Sequence, residues 1–379
     1  MAYSSSLMNL AIKQADYAHY ISRPNPNVGA IVVKNNKVIG FGYSQAYGSD
    51  HAEVVALKEA GNLAKDGELY VTLEPCSHQG KTPPCTDAII KAGIKTVYIG
   101  ILDPNPLVAG RGVELLKKAG IKVQIGYKTK QIEKQLEYYL HWRKHNLPFV
   151  MMKNAVSLDG KIAAPDGNSK WITSEEARHF GRLKRAEGEA IITGIGTVLA
   201  DNPMLILRAD EMDKLRIKAD NNHIAQPVRI ILDSSLKIPL NSKIVETAKE
   251  YKTIIIKSNS SKINHEKEDK LRQMGVNIIG INSIDNKIDL KALLVFLAEH
   301  KFTSIFIEAG PKLSTAFLNQ GLVDKVFYFI APKALGGTND VYQHLHVDSL
   351  RTAIEFERVI PQLINKDNIL LEAYVKKDI

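Results

Sequence analysis

Apolar positions recur along this chain with two spacings, helical and alternating, that take turns in blocks. Leu7, Leu10, Ala11, Ala15 and Ala18 share one face at helical spacing, so the first segment predicts an amphipathic helix. GAIVVKNNKVIGFGYS predicts a β-hairpin turned at Asn35-Asn36. HAEVVALKEAGNLA predicts a helix with Val54, Val55, Leu57 and Ala60 as its stripe, ending near Gly61. LYVTLE, TVYIGILD and KVQIGY predict strands. CTDAIIKAG and RGVELLKKAG predict helices stopped by Gly93 and Gly120. KQIEKQLEYYLHWRKHN is a further helical segment, followed by Pro148. A new strand-like run, PFVMMKNAVS, begins there, so a domain boundary is expected near Leu147, dividing the chain into 1–147 and 148–379.

The second part alternates again. SEEARHFGRLKRAEG predicts a helix with Ser174 as N-cap and Glu175 and Glu176 in its first turn. AIITGIGTVL predicts a strand running into a glycine-containing turn. VRIILDSS, YKTIIIKS, VNIIGINS, TSIFIEAG and DKVFYFIAPKALGG predict strands, the last a long one. LKALLVFLAEHK predicts a helix, and PKLSTAFLNQG another opened by Pro311. Ala209–Gln226 is charged and polar and is expected to be a surface insertion. Strands alternating with helices indicate α/β domains, with parallel or mixed sheets covered by helices.

Composition narrows the class. The hydrophobic share is 45% and the charged share 24%, ordinary for a globular protein. No apolar run approaches the roughly 20 residues of a membrane span, and the start lacks the pattern of a signal peptide. A cytoplasmic location without membrane partners is the expectation. The net charge is +9, spread thinly: 18 Lys and Arg against 12 Asp and Glu through Leu147, and 32 against 29 beyond. That balance suits a phosphorylated substrate or a dinucleotide, and it does not demand nucleic acid. The two cysteines, Cys76 and Cys85, share one Pro-rich loop, which points to a metal rather than a disulfide.

His51-Ala52-Glu53 at a helix start, followed by Glu74-Pro75-Cys76 and Cys85, matches the deaminase signature H-x-E then P-C…C. One imidazole and two thiolates make three zinc ligands and leave a fourth position for water. Glu53 is then the proton carrier. A His-x-Glu pair alone means little; here both cysteines of the chain fall where the signature needs them. Eight residues separate the cysteines, where the general signature has two.

PNPNVGAIVV, HAEVVALKEAG, YVTLEPCSHQGKTPPCTDAII and DPNPLVAGRGVELLKKAGI resemble the deaminase domain of the bifunctional riboflavin biosynthesis deaminase-reductase family. The long cysteine loop is characteristic of that family. KNAVSLDGKIA, SKWIT, TGIGTVLADNPML, LDSS, EAGPKLSTAFL and APKALGG resemble its reductase domain. The resemblance implies a cytidine-deaminase-like α/β/α domain followed by a dihydrofolate-reductase-like α/β domain. It implies zinc on His51, Cys76 and Cys85, Glu53 as catalytic residue, and Asn25 in the pyrimidine site. His78, Lys81, Thr82 and Asn105 are further candidates for substrate contact, or equally for loop scaffolding. For NADPH it implies Ala155, Trp171, Thr197, Asp201 and Ser234, with Gly310, Pro311, Lys312, Leu313, Ser314, Thr315 and Ala316 at the pyrophosphate. For the substrate it implies Ser169, Arg185, Leu205, Arg208 and Glu308. Asp159 reads mainly as a turn residue before Gly160. The implied partner is a small phosphorylated pyrimidine, and the implied assembly a homo-oligomer.

Two rivals differ in kind. A zinc deaminase acting on tRNA or a nucleoside shares the signature, but the cysteine spacing and the second domain oppose it. A non-catalytic binder needs a closed, four-ligand zinc, for which His78 is the available fourth group.

Overall fold

A computed structural model describes residues 2–106, 108–260, 264–285, 287–365 and 367–377. The chain forms two compact units: Met1–Asn146 with Met212–Ala225, and Leu147–Glu211 with Gln226–Ile379.

The first unit runs α1 (Ala2–Ala18), β1 (Gly29–Lys34), β2 (Lys37–Tyr43), α2 (Ala52–Ala60), β3 (Glu68–Leu73), α3 (Cys85–Lys91), β4 (Thr96–Ile101), α4 (Arg111–Lys118), β5 (Lys122–Ile125), α5 (Thr129–Gln135) and α6 (Glu137–His145). Its sheet has the order β2-β1-β3-β4-β5, antiparallel around β1 and parallel from β3 to β5. The hairpin turns at Asn35-Asn36, both with positive φ (49° and 61°), the turn that suits the twist of paired strands. Two helix layers press against this sheet through missing side chains. A Cβ on Gly29 would sit 1.9 Å from the Ala11 carbonyl of α1. On the other face, one on Gly42 would sit 2.1 Å from the Ala52 carbonyl of α2. The helical segment expected after β5 is broken at Leu136 into α5 and α6.

The second unit runs β6 (Phe149–Ser157), α7 (Glu175–Lys184), β7 (Ala190–Gly194), α8 (Ile195–Asp201), the first residues of α9 (Ala209–Lys218, which from Met212 belongs to the first unit), β8 (Val228–Leu232), α10 (Lys243–Glu246), β9 (Thr253–Ser258), α11 (His265–Gln273) and β10 (Val276–Ile281). It continues with a two-stranded ribbon, β11 (Ser283–Ile284) and β12 (Lys287–Ile288), then α12 (Leu290–Glu299), β13 (Ser304–Ile307), α13 (Pro311–Asn319), β14 (Lys325–Ala331), β15 (Phe356–Ile364) and β16 (Asn368–Val375). The nine-stranded sheet has the order β10-β9-β8-β7-β13-β6-β14-β16-β15. It is parallel from β10 to β14 and antiparallel at β16 and β15. Buried Val, Ile, Leu and Phe positions of the parallel strands and α12 make its core, as a sheet covered on both faces requires. Among the described residues no helix is long and apolar enough to cross a membrane.

Three local expectations change. Ile195–Asp201 is a helix, not a turn, with Gly194 as its N-cap. The strand from Lys325 ends at Ala331, because Pro332 cannot extend the ladder. Residues 209–226 are mostly exposed, as expected, but they carry a helix with a buried stripe: Met212, Leu215 and Ala219 recur at helical spacing and, with Ile224, are buried. The surrounding charges hid that stripe. The hairpin β15–β16 had no counterpart in the sequence reading.

Candidate active sites

In the first unit the end of β3, the start of α2 and the start of α3 converge. His51 caps α2, Cys76 follows β3 past Pro75, and Cys85 opens α3. His51 Nδ1 lies 3.5 Å from Cys76 Sγ and 3.2 Å from Cys85 Sγ. All three donor atoms fall within 4.8 Å of one another. Tetrahedral zinc, with bonds of about 2.3 Å to sulfur and 2.0 Å to nitrogen, needs N···S separations of roughly 3.5 Å. The donor set therefore fits zinc in both chemistry and spacing.

The three donor groups set one another's proton affinity. A hydrogen bond from Cys85 and another with His51 outweigh burial and bring the Cys76 thiol down to about 4. The same contact with Cys76, with burial, pushes Cys85 up. The Cys85 backbone N–H, at the start of α3, also donates to Cys76 Sγ at 3.3 Å. Hydrogen bonding to Cys76 raises His51 to about 9 against burial. Glu53, in the first turn of α2 and 3% exposed, is pushed up to about 7 by burial against the pull of His51.

The surrounding loop is tied down from below. Glu74 is buried and accepts from the backbone N–H groups of Asp103 (3.3 Å), Gly110 (3.0 Å) and Val113 (3.2 Å). A Cβ on Gly112 would meet the Pro75 carbonyl at 2.2 Å, so only glycine lets α4 come this close. Asp103 accepts from Tyr139 Oη (3.0 and 3.2 Å) and from the Asn105 N–H (2.9 Å). The sequence pointed to Asn105 but not to Glu74, which looked like part of a strand.

The other candidates divide. Thr82 Oγ1 lies 3.5 Å from His51 Nε2, beside a metal donor. Lys81 Nζ sits 4.0 Å over the Tyr47 ring. Asn25 lies in a turn before β1, its N–H bonded to Ser22 O and its carbonyl to Ser22 Oγ. His78 Nδ1 and Asn27 Nδ2 are buried without a hydrogen-bond partner among the described residues. Such atoms await a polar ligand or water.

In the second unit Thr197, Ser234, Glu308 and Gly310 follow the carboxyl ends of β7, β8 and β13, where open parallel sheets bind ligands. The Gly310 N–H donates to Thr197 Oγ1 at 3.3 Å, joining the starts of α13 and α8. The side chains of Ser314 and Thr315 turn back onto the carbonyls of Ala309 and Pro311. What Gly310–Ala316 offers a phosphate is therefore backbone and helix dipole rather than these hydroxyls. Ala155 lies opposite Phe329 on β6, Asp201 closes α8, and Ser234 follows β8 with its carbonyl bonded to the Ser258 N–H. Trp171 is 65% exposed, with the Arg178 guanidinium 4.1 Å over its ring, and Ser169 is exposed two residues before it.

Glu308, at the end of β13, takes two hydrogen bonds from Arg185, at 2.8 and 3.1 Å, and lies 3.8 Å from Lys153. Burial alone would raise its pKa; Arg185 and Lys153 hold it down at about 2. Lys153 was missed because a lone lysine in a strand carries no pattern. Leu205 is buried with φ +53°, and Arg208 is exposed. Asp159 accepts from Ser157 Oγ and from the N–H groups of Leu335 and Gly336, which fits the turn reading.

Comparison with known proteins bears on both units. Residues 1–101 match the cytidine and deoxycytidylate deaminase zinc-binding region, and residues 148–363 match the RibD C-terminal domain. The riboflavin biosynthesis protein RibD of Aquifex aeolicus is 42% identical over 334 residues, 88% of this chain and 87% of that protein. A solved structure of Acinetobacter baumannii RibD superposes with a TM-score of 0.87 at 36% identity, covering 99% of both chains. A Thermotoga maritima structure, described as a diaminohydroxyphosphoribosylaminopyrimidine deaminase/5-amino-6-(5-phosphoribosylamino)uracil reductase, gives 0.82 at 32% identity with 99% of both chains covered. With both halves matched in order over nearly its whole length, the chain belongs to the RibD family, as a bifunctional enzyme of riboflavin biosynthesis in which a zinc deaminase is joined to an NADPH reductase.

Proposed function

We propose that residues 1–147 remove the 2-amino group of 2,5-diamino-6-(5-phosphoribosylamino)pyrimidin-4(3H)-one, and that residues 148–379 reduce the product to 5-amino-6-(5-phosphoribitylamino)uracil. The T. maritima relative is named for both activities. The observation that carries the reading is the convergence of His51, Cys76 and Cys85 beside the buried Glu53.

His51 Nδ1, Cys76 Sγ and Cys85 Sγ are the atoms that would hold the metal. Zinc bound there supplies Lewis acidity at neutral pH. Glu53, with its pKa near 7, takes the proton released as water adds to the ring carbon. It passes that proton to the departing nitrogen, so water enters and ammonia leaves. Asn25, His78 and Lys81 orient the pyrimidine and its phosphate, a role that the unpartnered His78 Nδ1 supports. Thr82 steadies the His51 ring through Nε2.

In the second site Ala155, Trp171, Thr197, Asp201, Ser234 and Gly310–Ala316 seat NADPH. Ser169, Arg185, Leu205, Arg208 and Glu308 seat the ribosyl substrate. Hydride from the nicotinamide adds to C1′ of the ribosylamino group, the bond from C1′ to the sugar-ring oxygen breaks, and one proton goes to that oxygen, which leaves the open ribitylamino chain. No residue here has to be a nucleophile; the residues orient. A tRNA or nucleoside deaminase would leave this unit without a role.

The enzyme works in the cytoplasm on a small molecule, without nucleic acid or membrane, as a homo-oligomer. The exposed edge strand β15, with Val359, Ile360 and Leu363 uncovered, supports self-association. The test is mass spectrometry of products from the diaminopyrimidine ribotide. Replacement of an amino group by oxygen should need zinc but not NADPH, and addition of two hydrogens should need NADPH but survive chelation of zinc. If zinc-loaded protein does neither, the reading fails.

A further inference from the structure

Asn202–Arg208 connects α8 to α9 and belongs to no helix or strand, yet it carries Leu205 and Arg208. An irregular segment must find partners for its own polar backbone. Here side chains from around the unit supply several of them, and the segment's own Asn202 side chain in turn accepts from the Lys243 N–H at 2.9 Å. Arg229 Nη1 donates to the Met204 carbonyl at 3.1 Å, and Arg185 Nη1 to the Ile206 carbonyl at 2.7 Å. Glu211 Oε2 accepts from the Arg208 N–H at 2.7 Å.

Gln226 does more than any of these. Its Oε1 accepts from the Leu207 N–H at 2.8 Å, and its Nε2 donates to the Leu207 carbonyl at 2.7 Å. One primary amide thus occupies both backbone groups of one residue, as a neighbouring strand would. Leu205 and Leu207 are buried on either side of the half-buried Ile206, and Met204 and Arg208 are exposed.

We infer that Gln226 is a positioning residue for the reduction: by holding both backbone groups of Leu207 it sets where Leu205 and Arg208 stand, and so how the phosphorylated ribosyl substrate is seated. The inference rests on the reading that Arg208 contacts that substrate. Gln226 acts through Leu207, so its removal shifts substrate binding more than the chemical step. Arg229 holds the other end of the segment. It is fully buried, with Thr247, Thr253 and the Ile244 and Tyr251 carbonyls as further partners, so replacing it tests folding rather than position. Gln226 is only half-buried and is the informative site.

The experiment uses the full chain. Gln226→Leu keeps the bulk and removes both bonds, while Gln226→Glu keeps only the acceptor. Steady-state reduction of 5-amino-6-(5-phosphoribosylamino)uracil is measured with hydrogen exchange at the Leu207 amide, and deamination serves as the folding control. For Gln226→Leu, exchange at Leu207 should quicken and KM for the ribosyl substrate should rise roughly tenfold, the loss of two neutral hydrogen bonds. Meanwhile kcat, the KM for NADPH and deamination should hold, and Gln226→Glu should fall between. Faster exchange at Leu207 with an unchanged substrate KM overturns the inference, as does a loss confined to the KM for NADPH. Arg208→Ala separates the two layers. If it leaves the substrate KM unchanged, the contact reading fails and the inference with it. If it raises KM while Gln226→Leu does not, only the positioning role fails.

Discussion

Glu53 and Glu308 are both enclosed carboxylates, one in each unit, and their surroundings drive them in opposite directions. Glu53 faces two sulfurs and a histidine, and burial raises its pKa to about 7. Glu308 is only half-buried, and Arg185 holds it with two hydrogen bonds while Lys153 stands nearby, so it falls to about 2. The first is poised to exchange a proton at neutral pH; the second is a fixed anion. The difference teaches what each unit is for. Hydrolytic deamination moves protons and needs a group that titrates. Hydride transfer leaves the chemistry to the cofactor and needs groups that stay put.

The comparison can be broken most directly at Glu53. Glu53→Gln should cut deamination by about 10²–10⁴-fold, the usual contribution of a proton carrier. Zinc content and the reduction of supplied intermediate should not change. Full deamination in that variant would end the assignment.

Glu308 has the opposite signature, visible as stability against pH. A carboxyl whose folded pKa is depressed contributes stability above its unfolded pKa, here 4.5, and loses it as pH falls towards 2. A shift of this size corresponds to about 3 kcal/mol. Denaturant unfolding of the second unit should weaken by that order across this window, and Glu308→Gln should flatten the dependence. An unchanged slope in the variant would mean that other carboxylates set it.

Arg185→Met removes both hydrogen bonds from Glu308. Reduction should fall about 10–100-fold in kcat/KM, the cost of losing charged hydrogen bonds, with deamination untouched. Equal losses in both activities would point to a folding defect instead. The smallest effect is expected at Thr82, whose contact with His51 Nε2 is long at 3.5 Å. Thr82→Val should weaken zinc by up to about tenfold, read by chelator competition. No change would return Thr82 to the role of loop scaffold.

The two sites were unequally legible. His51, Glu53, Cys76 and Cys85 announce themselves because metal chemistry demands rare residue types at short range from two helix starts and one strand end. The second candidate site rests only on resemblance. Its residues are common types spread from Ala155 to Ala316, and nothing in their spacing says that Arg185 will clasp Glu308. Lys153 and Gln226 were invisible for the same reason: each acts on a group far away in the chain.

The sequence by itself determined the local elements. The Asn35-Asn36 hairpin, the Ser174 cap and the Pro311 helix start each follow from a few neighbouring residues, because turns and caps are satisfied within one turn of chain. Only the tertiary structure decided how those elements are used. Packing made a helix with a buried stripe out of the charged stretch after Ala209. It placed Glu74 under three backbone amides from 29 to 39 residues away. It set two glutamates of one chemistry at opposite ends of the acid scale, because burial and the nearest cation are properties of the assembled fold.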